Sequence, residues 1–439
     1  MSREIPRPPE LQRDVHFWIR VYSEITTLQG FLHDERNLAI VYSTLSLPPT
    51  ERPGSPVRRQ LIDAERERWS VALREAADAM EQGSVDAASA DGLRVMALWG
   101  AEASATGLRL AAEGVRFQLG QADRFRAGIV RSGQWESHIA RSFDSLGLPP
   151  ELAALPHVES SFTPTAYSKV GASGLWQFMP GTGRRFMRVD DIVDERLDPF
   201  RSTEAAAKLL LYNYRTLGSW PLAITAYNHG TAGMRRAREQ LGTDDFAVIA
   251  RRYQSRSFGF ASRNFYPSFL AALSIDQNPQ RYFPDVPRAA ELVFHEVSMP
   301  GYAEVATLER ALGIPRETLR ELNPALRPAV WSGEKFVPRG YRLRLPSSEA
   351  FSAAQLIERV GADRLFVAQR APRTHTVERG ETLTRIAKRY GCRIADLAQL
   401  NELPANAKLR RGQRLRLADE WPATLASALS LESAAGAAP

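Results

Sequence analysis

Four glycines fall inside YSKVGASGLWQFMPGTG (Tyr167–Gly183), between stretches that read as helix on either side. A run so rich in glycine cannot continue a helix. It reads as loop or short strand, where backbone must come close to something else. Upstream, Pro149 and Pro150 suit the first turn of a helix that continues into ELAAL. Downstream, STEAAAKLLLYNYRTLG offers Ser202 or Thr203 as N-cap, Glu204 in the first turn and Gly218 as the stop. WPLAITAYNHG, from Trp220 to Gly230, is built in the same style. Helices packed around an irregular glycine-rich loop make a cleft.

A chain of 439 residues is long enough for two to four domains, and 44% apolar with 24% charged residues is globular chemistry. Residues 1–120 are expected to be a helical region, with Leu61, Ala64, Trp69, Val71 and Leu73 recurring among charges in RRQLIDAERERWSVALREAADAM. Residues 121–282 are the punctuated helical domain that holds the glycine-rich loop. The C-terminal third changes character. HTVERGETLTRIAKRYGCRIADLAQLNELPANAKLRRGQRLRL predicts a strand, two short helices and a closing strand, a βααβ unit over 373–418. A weaker copy lies at 290–346. LERALGIPRETLRELNP aligns with IAKRYGCRIADLAQLNE, matching Gly313 to Gly391 and Leu322-Asn323 to Leu400-Asn401, and both copies end in RLRL. Residues 347–372 are expected to be a linker with some helix, and 419–439, rich in Ala and Ser, a disordered tail. The fold class expected is mainly α, with small α+β modules at the C-terminus.

Composition removes several functions. The net charge of +7 is concentrated between Thr374 and Leu417, where ten Lys/Arg face four Asp/Glu. The remainder is close to neutral, so no nucleic-acid partner is expected. The histidines show no metal-ligand spacing such as HExxH, so no metal is expected, and no GxGxxG or Walker pattern points to a nucleotide cofactor. The single Cys392 excludes an internal disulfide framework. The N-terminus, MSREIPRPPE, has no apolar run of the kind a signal peptide or spanning helix needs.

Chemistry enters at LPHVESSF (Leu155–Phe162). Glu159 shares one helical face with Leu152, Leu155 and Phe162, on the apolar stripe. A carboxyl there has its charged form disfavoured and its pKa pushed upward, so that it can hold a proton and donate it. A glutamate that caps a helix or pairs with a local Arg is the alternative. Pro156, inside a helix begun at Leu152, would kink it. No acid follows until Asp190, and none lies between Ala205 and Arg238. The acids of DDIVDERLDP flank an Arg and a Pro and suit turn caps. Glycoside cleavage by the standard routes needs two carboxylates about 5–9.5 Å apart. If Glu159 is catalytic, it is a single acid that serves twice, and the nucleophile comes from the substrate.

These segments, with AYSKVGASGLWQFMPGTGRRF, DPFRSTEAAAKLLLYNY and WPLAITAYNHGTAGM, resemble the soluble-lytic-transglycosylase domain of bacterial cell-wall enzymes. GQADRFRAGIVRSGQW and FGFASRNFYPSFLAAL resemble the membrane-bound lytic murein transglycosylase D branch of that family, and the βααβ unit resembles LysM, a peptidoglycan-binding module. The resemblance implies a lysozyme-like helical catalytic domain that cuts the β-1,4 bond between N-acetylmuramic acid and N-acetylglucosamine. The C6 hydroxyl of the muramic residue attacks its own C1 and leaves a 1,6-anhydro end. Glu159 matches the family's acid/base. Ser168 matches a serine that contacts the muramic N-acetyl group, although a loop serine taken alone is more often a turn former. Gln177 and Met179 match cleft-lining positions, while Trp176 and Phe178 read as core. Tyr227 and Asn228 match residues near the acid, with a hydrogen bond from Tyr227 to Glu159 expected. No second carboxylate is expected across the cleft from Glu159. LysM-like Thr384-Arg385-Ile386 stands where an aromatic often precedes the Ile. The partners implied are peptidoglycan glycan strands and other cell-wall proteins, in the periplasm or cell envelope. Membrane association would need an anchor that this chain does not display, and the expectation is a shortened start. A non-catalytic peptidoglycan-binding scaffold and a hydrolase of lysozyme or chitinase type are the alternatives.

Overall fold

The computed structural model describes residues 4–84, 88–348, 350–370 and 374–417. The proposed tail at 419–439 lies outside them. The chain divides into two compact units, one of residues 1–187 and 199–292, the other of 188–198 and 293–439.

The first unit begins with α1 (Gln12–Ser23), then a hairpin of β1 (Gln29–Asp34) and β2 (Val41–Ser46). Three helices follow: α2 (Pro56–Glu81), capped by the Ser55 side chain, α3 (Ala90–Trp99) and α4 (Ala105–Glu113). β3 (Val115–Leu119) then returns to pair antiparallel with β1, giving the order β2-β1-β3. The region expected to be helical therefore also holds a sheet. Its strands are only five or six residues long, and β1 is covered on both faces, so no clean period-two alternation shows in the sequence. Gly30 is required where β1 meets β3, since a Cβ there would fall 2.2 Å from the Phe117 ring. Trp69 of α2, fully buried, stacks on Tyr42 of β2 at 5.6 Å and fixes helix to sheet.

The chain continues through α5 (Ala122–Ser132), α6 (Glu136–Asp144), α7 (Leu155–Ser160) and the single turn α8 (Pro180–Gly183). Then come α9 (Pro199–Leu217), α10 (Trp220–His229), α11 (Thr231–Leu241), α12 (Phe246–Arg252), α13 (Phe260–Gln277) and α14 (Pro279–Tyr282). Seven consecutive residues of α10, Trp220 to Ala226, are buried, so it is a central helix. α1 packs along α13, where the Trp18 indole donates to Asn264 at 3.3 Å. Residues 1–120 and the glycine-rich helical region thus belong to one compact unit, and the boundary expected near 120 is not a break in the fold.

In the second unit β4 (Phe294–Ser298) pairs antiparallel with β5 (Arg342–Pro346), enclosing α15 (Val305–Leu312), α16 (Arg316–Leu322) and α17 (Pro328–Trp331). α18 (Ala353–Val360) buries Leu356 and Val360 in the same core, with Leu365 beyond it. Residues 347–372 are therefore largely part of a packed module and not a linker, since one turn of i,i+4 apolar spacing gives α18 a face to bury. β6 (Thr374–Thr376), α19 (Leu383–Arg389), α20 (Ile394–Leu400) and β7 (Arg414–Arg416) form the second βααβ unit, with its own small core.

The two βααβ copies share one device. Asn323 donates to the carbonyls of Leu319 and Arg344, both at 2.8 Å, and accepts from the Arg344 N–H at 2.9 Å. Asn401 does the same with Leu397, Arg416 and the Arg416 N–H. In each copy one amide ties the end of the second helix to the closing strand. Residues 188–198 add to the first copy's core through fully buried Val193, and Asp194 pairs with Arg196 (2.7 Å) and Arg327 (3.3 Å). Arg344, 3% exposed, reaches Asp198 at 2.7 Å and Glu296 at 3.0 Å. Arg344→Met removes the buried cation that Asp198 and Glu296 share and is expected to cost about 3–5 kcal/mol. Arg342→Met, on an exposed arginine 3.4 Å from Glu296, should cost under about 1 kcal/mol. Denaturant midpoints check this, and equal shifts for the two variants would contradict the role given to Arg344.

Candidate active site

The segment that carries Glu159 opens as a 3-10 turn over Pro150–Ala154 and becomes α7 only at Leu155. Pro156 therefore sits in the first turn, where its missing N–H is no loss, and the expected kink does not arise. α7 is six residues long and ends abruptly. Ser161 (φ 49°) and Phe162 (φ 53°) are both left-handed, a conformation that two successive non-glycine residues seldom adopt. Arg131 of α5 holds them there, its guanidinium donating to Ser161 O at 2.6 Å and Phe162 O at 3.0 Å. Gly128, one turn earlier on α5, permits the approach: a Cβ would fall 3.0 Å from Ser161 O and 3.2 Å from the His157 ring.

Behind α7, His157 is buried and stacks on Phe125 at 4.4 Å, with Nε2 3.1 Å from Asp276, which also receives Arg288 at 2.9 Å. Ser160 ties the front to the glycine-rich loop by donating to Leu175 O at 2.8 Å. The functional position is thus clamped on both sides by neighbours in sequence and space.

Glu159 is half-buried and lines a cavity of about 540 Å³ together with Gln121, Asp123, Arg131, Ser160 and Ser161. Burial pushes its carboxyl up to about 8. No hydrogen bond or ion pair reaches it among the described residues. Two tyrosines flank it. Tyr227 of α10 has its hydroxyl pKa raised first by burial and then by the charge of Glu159. Tyr22 of α1, 2% exposed, is raised by burial against a hydrogen bond with Ser268, and Glu159 adds to the rise. Tyr22 also packs on Phe125 at 5.1 Å, so α1 reaches the acid through the rings behind it. Sequence reasoning missed Tyr22, because nothing in VYSEI distinguishes it from an ordinary helix-face tyrosine.

Tyr227 is beside the acid, but its hydroxyl donates to Trp176 O at 2.8 Å. The expected bond to Glu159 is not made, and the hydroxyl has only acceptor capacity left to offer it. Gln177, itself left-handed (φ 47°), uses its amide N–H groups on Gly174 O (2.8 Å) and Ala166 O (3.3 Å); Ala166 lines the Glu159 cavity. Met179 is 43% exposed. The Ser168 hydroxyl accepts from the Ala172 N–H at 2.9 Å, the turn-forming alternative. Asn228 is exposed and accepts from Ser262 at 3.1 Å. None of these last five lines the Glu159 cavity itself.

A second carboxylate also lines that cavity. Asp123, in the first turn of α5, accepts from the Thr27 N–H (3.1 Å) and from its hydroxyl (2.5 Å). An acid in a helix's first turn suits the helix dipole, so nothing in the sequence marks Asp123 out. Among the described residues no group of His, Cys, Asp and Glu could hold a metal ion.

A half-buried acid thus lies beside a glycine-rich loop, with two βααβ copies downstream in the chain. Residues 144–249 match the family model of the transglycosylase SLT domain, and residues 375–418 match the LysM domain. The chain carries an SLT domain and a LysM domain. More particularly, it is 30% identical over 298 residues to the membrane-bound lytic murein transglycosylase D of Escherichia coli, an alignment covering 66% of this chain and 64% of that protein. Over 95 residues it is 37% identical to the soluble lytic murein transglycosylase of Salmonella typhimurium, covering 20% of this chain and 14% of that one. A crystal structure of the 70 kDa soluble lytic transglycosylase of Escherichia coli aligns at 19% identity and a TM-score of 0.26, over 57% of this chain and 33% of that one. The chain spans somewhat under two thirds of the length of its D-type relative.

The raised pKa of Glu159 fixes the sign of a stability effect. Below about pH 4.5, its ordinary value, folded and unfolded chains both hold the proton. Between there and about 8 the unfolded chain releases a proton that the folded chain keeps, so stability falls as pH rises. Glu159→Gln escapes that loss. Its Tm should match the parent's near pH 4 and exceed it at pH 8–9; a Tm difference flat with pH would contradict the raised value.

Proposed function

We propose that the protein is a peptidoglycan lytic transglycosylase that cuts the β-1,4 bond between N-acetylmuramic acid and N-acetylglucosamine without water. The observation that carries this is Glu159, whose half-buried carboxyl, pushed up to about 8, holds its proton at neutral pH at the wall of a groove. Glu159 donates that proton to the leaving glycosidic oxygen as the C1–O bond breaks. The carboxylate then takes the proton of the muramic C6 hydroxyl while its oxygen bonds to C1, closing the 1,6-anhydro ring and restoring the acid. The nucleophile is tethered within the sugar, so its effective concentration is high and no second carboxylate is needed. Ser168, Gln177, Met179, Tyr227 and Asn228 are assigned to binding the glycan around this point. The Gln177 side chain has a carbonyl oxygen left for sugar hydroxyls, and Met179 offers an exposed apolar surface for a ring. The LysM domain tethers the enzyme to the wall, and the working compartment is the cell envelope. Among the described residues no helix is long and apolar enough to cross a membrane.

Asp123 supports a second reading, a hydrolase in which the aspartate activates water opposite Glu159. Digestion of purified peptidoglycan with mass spectrometry of the new ends separates the readings. Anhydro-muramic ends are expected. Reducing ends would favour the hydrolase, and uncut strands a binding protein. Glu159→Gln should lose about 10²–10⁴-fold in turnover while still binding strands. Asp123→Asn should keep most activity, and a loss as deep as that of Glu159→Gln would move the assignment to the hydrolase.

A further inference from the structure

A second cavity, of about 420 Å³, lies between the β1–β2 connection and the α12–α13 junction, within the range that accommodates small ligands. Its walls include Glu35, Arg36, Arg251, Tyr253, Phe258 and Arg263. Two of the guanidinium groups are held in place from within. Arg263 lies 2.6 Å from Glu35, and Arg251 lies 2.5 Å from Asp14, which is almost wholly buried. Arg251 also donates to the carbonyls of Arg36 and Glu10, both at 3.5 Å, and the guanidinium forks still carry N–H groups beyond these contacts. Arg36 is exposed and makes no ion pair among the described residues. Tyr253 and Phe258 meet edge to face at 5.1 Å and give the pocket an aromatic wall.

This wall is shared with the end of α10. Ser262, next to Arg263, donates to Asn228, and Phe258 packs edge-on against His229 at 5.1 Å. Glu35 and Asp14 answer Arg263 and Arg251, while Arg36 makes no ion pair among the described residues, and a neutral sugar chain does not call for its charge. A peptide carboxylate does, because the planar guanidinium fork bonds it with two parallel N–H groups. We propose that this cavity binds the carboxylate-bearing peptide substituents of the glycan strand. The proposal rests on the reading of peptidoglycan as substrate, and it gives the N-terminal hairpin a role in recognition.

The test has two arms. Calorimetric titration of the full chain with free stem peptide, released from peptidoglycan by an amidase, should show binding that Arg36→Glu weakens about 10-fold. Arg59→Glu, the same charge reversal on an exposed face of α2, should leave binding unchanged. In the second arm, intact and amidase-stripped strands are compared as substrates. Arg36→Glu should lower kcat/KM on intact strands several-fold more than on stripped ones. No peptide binding by the parent chain, equal weakening by both reversals, or equal losses on both strand types would each overturn the proposal. The titration needs no turnover, so a chain that binds peptide but cuts neither substrate would count against the transglycosylase reading and for this pocket.

Discussion

A carboxyl group keeps its proton at neutral pH only where the fold withholds both water and counter-charge from it, and that single requirement organises the first unit. Glu159 has burial behind its raised pKa, and among the described residues no ion pair reaches it. Arginine is nevertheless close at hand, since Arg131 lines the same cavity. Its guanidinium donates to the carbonyls of Ser161 and Phe162 and so holds the left-handed turn. It satisfies carbonyls that the end of a helix as short as α7 leaves exposed. The close packing of α5 on α7 that makes this geometry available depends on Gly128.

The second unit shows how one small module is put to two uses. Both βααβ copies close with the same asparagine clamp, Asn323 and Asn401, on a common RLRL strand. They differ in what the arginine next to the clamp meets. Arg344 is buried between Asp198 and Glu296, and residues 188–198 complete that copy's core. Arg416 is exposed. The closing strand of one copy is thus committed to internal ion pairs, whereas that of the other presents its arginines to solvent. The acids of DDIVDERLDP belong to this architecture: Asp190 caps its own turn through the N–H groups of Ile192 and Val193, and Asp194 and Asp198 anchor arginines.

The parts of the site that were legible in the sequence are those where local chemistry is unusual. An isolated acid on an apolar stripe, and glycines where helix should continue, each signal a constraint within a few residues. The ends of α9 and α10 were equally readable, because Gly218 and Gly230 stop them in positive-φ conformations. The start of α9 was not: the helix begins at Pro199, and Ser202 and Thr203, expected as N-caps, lie inside it with their hydroxyls donating to Pro199 O. What escaped depends on contacts distant in sequence. Tyr22 reaches Glu159 from α1, and the short strands β1 to β3 lack alternation because β1 is covered on both faces. The Tyr227 hydroxyl feels the charge of Glu159, yet it donates to Trp176 O, a partner that only the folded loop presents. Residues 347–372 looked like linker because a single apolar turn is a weak signal until a core exists to receive it.

Asp123 is the finding with most bearing on mechanism, and its anchoring weighs against a nucleophile's role beside Glu159. In a retaining enzyme acid and nucleophile are carboxylates about 5–5.5 Å apart, and the nucleophile must be able to reach the anomeric carbon. The rise in the pKa of Glu159 has burial as its cause. Asp123 is moreover anchored through both of its oxygens to Thr27, on the connection between α1 and β1, which fixes it to the wall of the groove. A covalent glycosyl-aspartate would require that carboxylate to leave its donors and approach the anomeric carbon. An intramolecular hydroxyl needs no such movement, and the arrangement around Glu159 therefore fits a nucleophile carried by the substrate better than one supplied by the protein.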